Sequence, residues 1–274
     1  MILVGWNFPQ RFFFATKSLL HTLVAIASLG YANASDSTSV ESGILDVSNE
    51  LATYNSCLSL ARVYPEQGFK AAEGWIELGG GEPAAHCQAI ALIGLGDAEE
   101  AARRLDKMAR SSIQPDNLRA GMLAQAGQAW LLAGMLEQAN VAYTVALSLN
   151  PSDPDLYIDR SMVLAAAKNY WQAIDDLNVA LEKDAQNADA LALRASAYRH
   201  VEAQELAMHD VVAAVSIDPD NVNALLERGI LYRLANQLAR ARRDWEHIVE
   251  VDPESRAAHF ARLNLRRLAP KNDR

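Results

Sequence analysis

The feature that most constrains this chain is a sequence pattern that returns every 34 residues. Pro219 and Pro253 are separated by that interval, and Pro151 lies two intervals before Pro219. Repeats of this length are typical of proteins in which small, similar units stack on one another. A single unit buries too little apolar surface to be stable alone, so the copies must share a core. Alanine occupies the same place in four successive copies, at Ala139, Ala173, Ala207 and Ala241.

Each copy has the pattern of two amphipathic helices, with apolar residues at helical spacing. Small residues in the first helix allow the second helix to approach, and bulky residues fill the space that remains. The proline after the second helix ends that helix. The pattern therefore predicts an all-α fold. The supporting columns are Gly127, Ser161, Ala195 and Gly229 (small), Leu123, Tyr157, Leu191 and Leu225 (bulky), Trp130, Leu164, Tyr198 and Tyr232 (bulky), and Tyr143, Leu177, Val211 and Trp245 (bulky).

These columns resemble the tetratricopeptide repeat, whose pattern is W-x2-L-G-x2-Y, then A-x3-F, then P. Four uninterrupted copies cover residues 120–255. Single places depart from the pattern, such as Leu177 at the aromatic position and Ala185 at the proline position. The resemblance implies a right-handed α-solenoid of helix-turn-helix repeats.

Weaker copies extend the pattern on both sides. Gly96 and Ala101 parallel Gly134 and Ala139, with a few residues inserted near Pro115. We therefore expect two degenerate copies over residues 49–119. Residues 256–274 are expected to form a capping helix and a tail, because a last helix with a polar outer face shields the end of a solenoid.

Residues 1–34 have the layout of a secretory signal peptide. Arg11 and Lys17 precede an apolar run, and Ala32-Asn33-Ala34 provides small residues before a cut after Ala34. The alternative is an uncleaved N-terminal anchor. Residues 35–48 are rich in Ser, Asp and Glu and are expected to form a flexible leader. The mature chain is then periplasmic or secreted.

The composition and the motifs argue against several functional classes. The net charge is −9, so the chain has no overall basic surface for a nucleic acid. None of the six histidines belongs to a compact metal-binding pattern. The three glycines 79–81 are not followed by the Lys and Ser or Thr of a phosphate-binding loop. We therefore expect no enzymatic activity, no metal and no cofactor.

Two charged columns also follow the repeat. Both should be partly buried, and a buried charge needs a partner. The structural interpretation is a repeated Arg–Asp ion pair, within one copy or between neighbouring copies. The alternative is a row of arginines that binds anions. The columns are Arg160, Arg194 and Arg228, and Asp176, Asp210 and Asp244.

Cys57 and Cys87 are the two cysteines of the chain. Each is expected in the first helix of its copy, and the two copies are adjacent. An oxidising compartment favours a disulfide between such a pair. The alternative is two buried free thiols.

The resemblance also implies a concave groove, lined by first helices, for a protein or peptide segment. In several family members Lys, Asn and Arg at set positions grip a terminal carboxylate, but here the corresponding places hold mostly Ala, Gln, Ile, Ser and Leu. Arg199 and Arg233 lie one repeat apart, and each can fork a carboxylate. Alternatively, the apolar residues of this set pack only against a neighbouring copy. The predicted groove residues are Gln128, Leu131, Ile158, Met162, Ser196, Arg199, Leu226, Ile230, Arg233 and Phe260.

The sequence thus favours a non-enzymatic interaction scaffold or adaptor in the bacterial cell envelope. A competing hypothesis is a small-molecule binder or an accessory subunit of an enzyme. A third is a structural protein that associates with itself through its terminal helices.

Overall fold

The computed structural model describes residues 37–268, with side chains at residue 49 and from residue 51 onward. The predicted signal peptide, residues 1–34, lies outside the described residues. Within residues 37–268 the chain forms thirteen α-helices and no strand. The predicted all-α fold of tetratricopeptide-type hairpins is confirmed.

The helices alternate between the first and second members of six hairpins, and a thirteenth helix follows. Their bounds are α1 (Ser37–Val63), α2 (Pro65–Glu77), α3 (Gly81–Gly94), α4 (Ala98–Ser111), α5 (Asp116–Leu132), α6 (Leu136–Leu149), α7 (Pro154–Ala166), α8 (Tyr170–Lys183), α9 (Ala188–His200), α10 (Gln204–Ile217), α11 (Val222–Leu234), α12 (Leu238–Val251) and α13 (Arg256–Leu268).

The helices belong to two compact units that divide after Ser152. The first unit contains α1–α6, and each helix packs against the next one along the chain within its hairpin. The second unit contains α7–α13, in which first helices also pack beside first helices. The division falls within the run of four regular copies.

Close contact within a hairpin depends on the column of small residues. A Cβ atom added to Gly127 would lie 2.6 Å from the Tyr143 ring, and one added to Gly229 would overlap the Trp245 ring. The alanines at 139, 173, 207 and 241 are fully buried in the opposing helices. The bulky and small columns thus interlock, as their spacing in the sequence predicts.

Polar residues begin the first helices of the second unit at the same 34-residue interval. In this position a side-chain oxygen accepts a hydrogen bond from a backbone N–H that the helix leaves unsatisfied. Asn187 accepts from the N–H of Ala190, and Asn221 accepts from the N–H of Ala224, both at 2.9 Å. These caps fix where each copy starts.

The first helix is longer than the others. It begins at Ser37 and therefore includes residues 37–48, for which the composition suggests a leader. Once a helix is nucleated, each added residue costs little free energy. The core that begins at Tyr54 supplies such a nucleus, because Tyr54, Cys57, Leu58 and Ala61 are buried.

Candidate functional site

The predicted groove of the second unit lies on neighbouring first helices. In that unit α9 packs beside α7 and α11, and α11 packs beside α13. Side chains at equivalent places of these helices therefore form a continuous face. We call this face, formed by α7, α9, α11 and α13, the first-helix face.

The apolar residues of the first-helix face are half-buried. Ile158 packs against the core cluster around Leu191, and Leu226 and Ile230 pack against the cluster around Trp245. Met162 and Phe260 are also half-buried. These side chains stabilise neighbouring copies and still present part of their surface to solvent.

The two groove residues predicted in the first unit differ in exposure. Gln128 of α5 is half-buried, whereas Leu131 is buried with 8% of its surface exposed. Leu131 therefore contributes to the core and offers almost no surface to a ligand.

Arg199 is already paired within the structure, contrary to our expectation that it is free to bind a ligand. Its Nε and Nη2 donate to the Glu227 carboxylate at 2.6 and 3.1 Å. The Ser196 hydroxyl donates to the same carboxylate at 3.0 Å. Ser196 and Arg199 on α9 thus hold Glu227 on α11. The prediction that Arg199 forks a carboxylate of the ligand is corrected, because Glu227 occupies its guanidinium; for Arg233 it stays a prediction.

Arg233 is exposed and takes part in no ion pair among residues 37–268. It is the one predicted groove arginine whose guanidinium is available to a ligand. Beside Arg199, the ring of His200 stacks on Tyr170 with centroids 4.5 Å apart. Burial lowers the pKa of His200, and the Arg199 charge lowers it further.

The charged columns form three ion pairs, each within one copy. Arg194 donates from Nε and Nη2 to the Asp210 carboxylate at 2.7 and 2.9 Å. Arg160 binds Asp176, and Arg228 binds Asp244, in the same two-pronged geometry.

The aspartates of these pairs are buried. The side chains of Arg160, Arg194 and Arg228 are 22%, 19% and 20% exposed. Hydrogen bonding to the aspartate raises the pKa of each arginine, although burial opposes the rise. The carboxylates fill both prongs of each fork. This arrangement favours the structural interpretation of these columns over an anion-binding row.

The first unit contains a cross-link and a buried polar chain. A disulfide joins Cys57 of α1 to Cys87 of α3, with Cα atoms 6.1 Å apart. Next to it, the Tyr54 hydroxyl and the Nδ1 atom of His86 are 2.8 Å apart, and His86 Nε2 is 2.5 Å from Gln125 Oε1. The first helices α1, α3 and α5 are thus linked side chain to side chain.

Burial is the main cause of the pKa shifts of His86 and Tyr54 in this polar chain. Burial lowers the pKa of His86 and raises that of Tyr54. The hydrogen bond that Gln125 Oε1 accepts from His86 Nε2 raises the pKa of His86 and so opposes the shift, whereas the Arg62 charge lowers it further. His86 is therefore neutral near neutral pH and acts as a structural link.

Sequence reasoning did not identify Glu227, Tyr54, His86 or Gln125. Residue 227 follows Arg199 by 28 residues, and its counterparts one repeat away are Leu193 and Ala261. The polar chain has separations of 32 and 39 residues. Neither arrangement follows the 34-residue period, so the repeat carries no signal for them.

An open cleft lies in the first hairpin, between α1 and α2. Its lining is mainly aliphatic and aromatic. A cleft of this kind is the feature that the alternative of a small-molecule site requires. It is lined by Ala52, Thr53, Ser56, Cys57, Leu60, Ala71 and Trp75.

Two further properties concern the described part of the chain. Within residues 37–268 no three His, Cys, Asp or Glu side chains are grouped so that they could hold a metal ion. No helix in that range is both long and apolar enough to cross a membrane.

The chain matches no protein-family model and no curated protein. Its fold is similar to solved structures. A tetratricopeptide repeat protein from Parabacteroides merdae superimposes with a TM-score of 0.54 over 66% of this chain and 70% of the other, at 20% identity. MamA from Desulfovibrio magneticus RS-1 gives 0.53 over 63% of this chain and 95% of the other, at 22% identity. At such identities the likeness establishes the fold alone.

Proposed function

We propose that this chain, which has the tetratricopeptide-repeat fold, is a non-enzymatic module that binds a protein or peptide segment on its first-helix face. The observation that carries the proposal is the composition of that face. Half-exposed apolar side chains at Met162, Ile230 and Phe260 lie on first helices together with the exposed Arg233. Such a mixture suits recognition of a segment with apolar anchors and polar flanks.

A bound segment needs apolar side chains that are not fully buried in the core. Ile158, Leu226 and Ile230 contribute to the core and remain partly exposed. Burial of exposed apolar area contributes about 25 cal/mol per Å². Several partly exposed anchors can therefore give a moderate affinity without weakening the fold in the free state.

The experiment is a binding assay of the full chain against a library of labelled peptides that contain Leu, Ile or Phe anchors. Phe260→Ala removes a half-exposed aromatic from the first-helix face and should weaken binding about tenfold. Trp171→Ala is the matched control, because Trp171 is 63% exposed on the second helix α8. A chain that binds none of the peptides, or an equal loss in the control, argues against the proposal.

We further propose that the protein acts in an oxidising compartment of the bacterial cell envelope, as an adaptor in the periplasm. Two features support this location: the layout of residues 1–34 and the Cys57–Cys87 disulfide. Structural disulfides persist in exported proteins and are rare in the cytosol. The test is N-terminal sequencing of the protein from cell fractions. A periplasmic chain that begins at Ser35 supports the proposal, and a cytosolic chain that retains residues 1–34 contradicts it.

A further inference from the structure

The Arg199–Glu227 pair shows how this fold can hold a carboxylate on the first-helix face. The guanidinium comes from α9, and the carboxylate comes from the adjacent first helix α11. The side chains of Arg199 and Glu227 are mostly buried, with 18% and 13% of their surfaces exposed. Ser196 completes the binding site with a third hydrogen bond. The pair therefore shows the geometry in which this face would hold an acidic residue of a ligand.

The next two copies also have an arginine at the position of Arg199. Arg199, Arg233 and Arg267 are spaced by 34 residues on α9, α11 and α13. The carboxylate does not return, because the counterpart of Glu227 is Ala261, which is fully buried. Arg233 and Arg267 are both exposed, and among residues 37–268 neither forms an ion pair. In the described part of the chain, Arg233 therefore lacks the carboxylate that Arg199 has.

An aromatic side chain lies on the same stripe of α13 as Arg267. Residues spaced by four and seven positions share one side of a helix. Arg256, Phe260 and Arg267 have this spacing. The Arg256 guanidinium lies over the Phe260 ring, 5.2 Å from its centroid. The buried side of α13 carries Ala257, Ala258 and Ala261.

We propose that Arg233 and Arg267, with Phe260 as an apolar anchor, form a docking site for an acidic peptide segment. This inference rests on the proposed function and names the chemistry of the partner. A carboxylate of the segment takes the place beside Arg233 that Glu227 takes beside Arg199. Charge complementarity selects an acidic segment, because a guanidinium fork binds carboxylates in two-pronged geometry.

The spacing of the two arginines defines the segment further. Neighbouring packed helices lie about 8–10 Å apart. An extended peptide advances about 3.3 Å per residue and points every second side chain to the same side. Two acidic residues two positions apart, roughly 7 Å, therefore face the same surface, and the flexible Glu and Arg side chains span the remaining distance. A Leu or Phe two positions beyond them lies on that side as well and contacts Phe260.

The test compares two fluorescein-labelled decapeptide amides with the full chain by fluorescence anisotropy. One peptide carries two Glu two positions apart and a Phe two positions beyond them, and the other carries Gln in place of both Glu. The Glu peptide should bind about tenfold more tightly, because charge-assisted hydrogen bonds exceed neutral ones. The difference should shrink as salt is raised, since both arginines are exposed.

Arg233→Gln combined with Arg267→Gln should abolish the preference for Glu over Gln. The matched control is Arg243→Gln combined with Arg266→Gln. It removes the same charge from α12 and α13 at exposed positions outside the stripe, and it should retain the preference. Circular dichroism verifies that both variants are folded.

Equal affinity for the two peptides, or loss of the preference in the control variant, overturns this inference. If the peptides bind equally and Phe260→Ala weakens both, the first-helix face binds peptides and only the arginine site is wrong. If the full chain binds neither these peptides nor any member of the library, the proposed function fails as well.

Discussion

At the scale of single residues, the period identified the charged positions but not their pairing. Asp210 follows Arg194 by 16 residues and precedes Arg228 by 18. Both separations are compatible with contact in a stack of hairpins. The structure selects the pair within one copy, because the second helix of the hairpin folds back against the first. Asn178 of the preceding hairpin also accepts a hydrogen bond from Arg194, at 2.9 Å.

Asp210→Asn should destabilise the protein by about 3 kcal/mol. The change leaves the Arg194 charge without its counter-charge, and the arginine keeps 19% of its side chain exposed, so the cost falls at the low end for a buried pair. Urea unfolding followed by circular dichroism measures the loss.

Asp106→Asn is the control for that experiment, because Asp106 pairs with Arg110 on the exposed side of α4. Exposed pairs contribute little to stability. An Asp210→Asn curve that coincides with that of the unmodified protein would show that the column is not structural.

His86 should make the protein less stable as the pH falls below about 6.5, the ordinary pKa of histidine. Burial lowers the pKa of folded His86, so between that value and about 6.5 the unfolded chain binds a proton that the folded chain does not. Stability then falls by up to about 1.4 kcal/mol per pH unit.

His86→Gln provides the comparison, because glutamine can hydrogen-bond to Tyr54 and Gln125 and does not titrate. Between pH 7.5 and 5.5 the unmodified chain should lose more stability than the variant, because only the unmodified chain has the depressed histidine pKa. Parallel losses in the two proteins would contradict a neutral, buried His86.

At the scale of helices and turns, a column of left-handed residues closes each regular hairpin. Gly134, Lys168, Glu202 and Asn236 are 34 residues apart, and their φ angles are 76°, 64°, 63° and 57°. Each helix ends where a residue adopts this conformation. Glycine fits there without strain, whereas lysine and glutamate do not.

Glu202→Gly should therefore stabilise the protein by about 1 kcal/mol, because a side chain in this region costs roughly that much. Gly134→Ala should destabilise it by a similar amount for the same reason. Thermal unfolding of the two variants checks the opposite signs. Asn236→Gly should change little, since asparagine tolerates the left-handed region. A loss of stability in Glu202→Gly would argue that the Glu202 side chain is needed in the turn.

At the scale of the whole molecule, the sequence was sufficient for the fold class and insufficient for the binding face. The small and alanine columns predicted which helices pack together, since interlocking residues must recur in every copy. The same period could not show that Arg199 is occupied, because its partner Glu227 occurs in one copy only. Contacts that distinguish one copy from another, such as the Arg199–Glu227 pair, leave no periodic signal.

The Cys57–Cys87 disulfide should stabilise the first unit locally. It closes a loop with a sequence separation of 30 residues. The lower entropy of the cross-linked unfolded chain should raise the free energy of unfolding by about 3–4 kcal/mol. In a repeat protein each copy contacts its neighbours, so the gain should not reach distant copies. Reduction should therefore speed hydrogen exchange in α1–α3 and leave α9–α12 unchanged. Cys57→Ser with Cys87→Ser should mimic reduction and be insensitive to the reductant. Two free thiols in the denatured, unreduced protein, or faster exchange throughout the chain, would contradict this prediction.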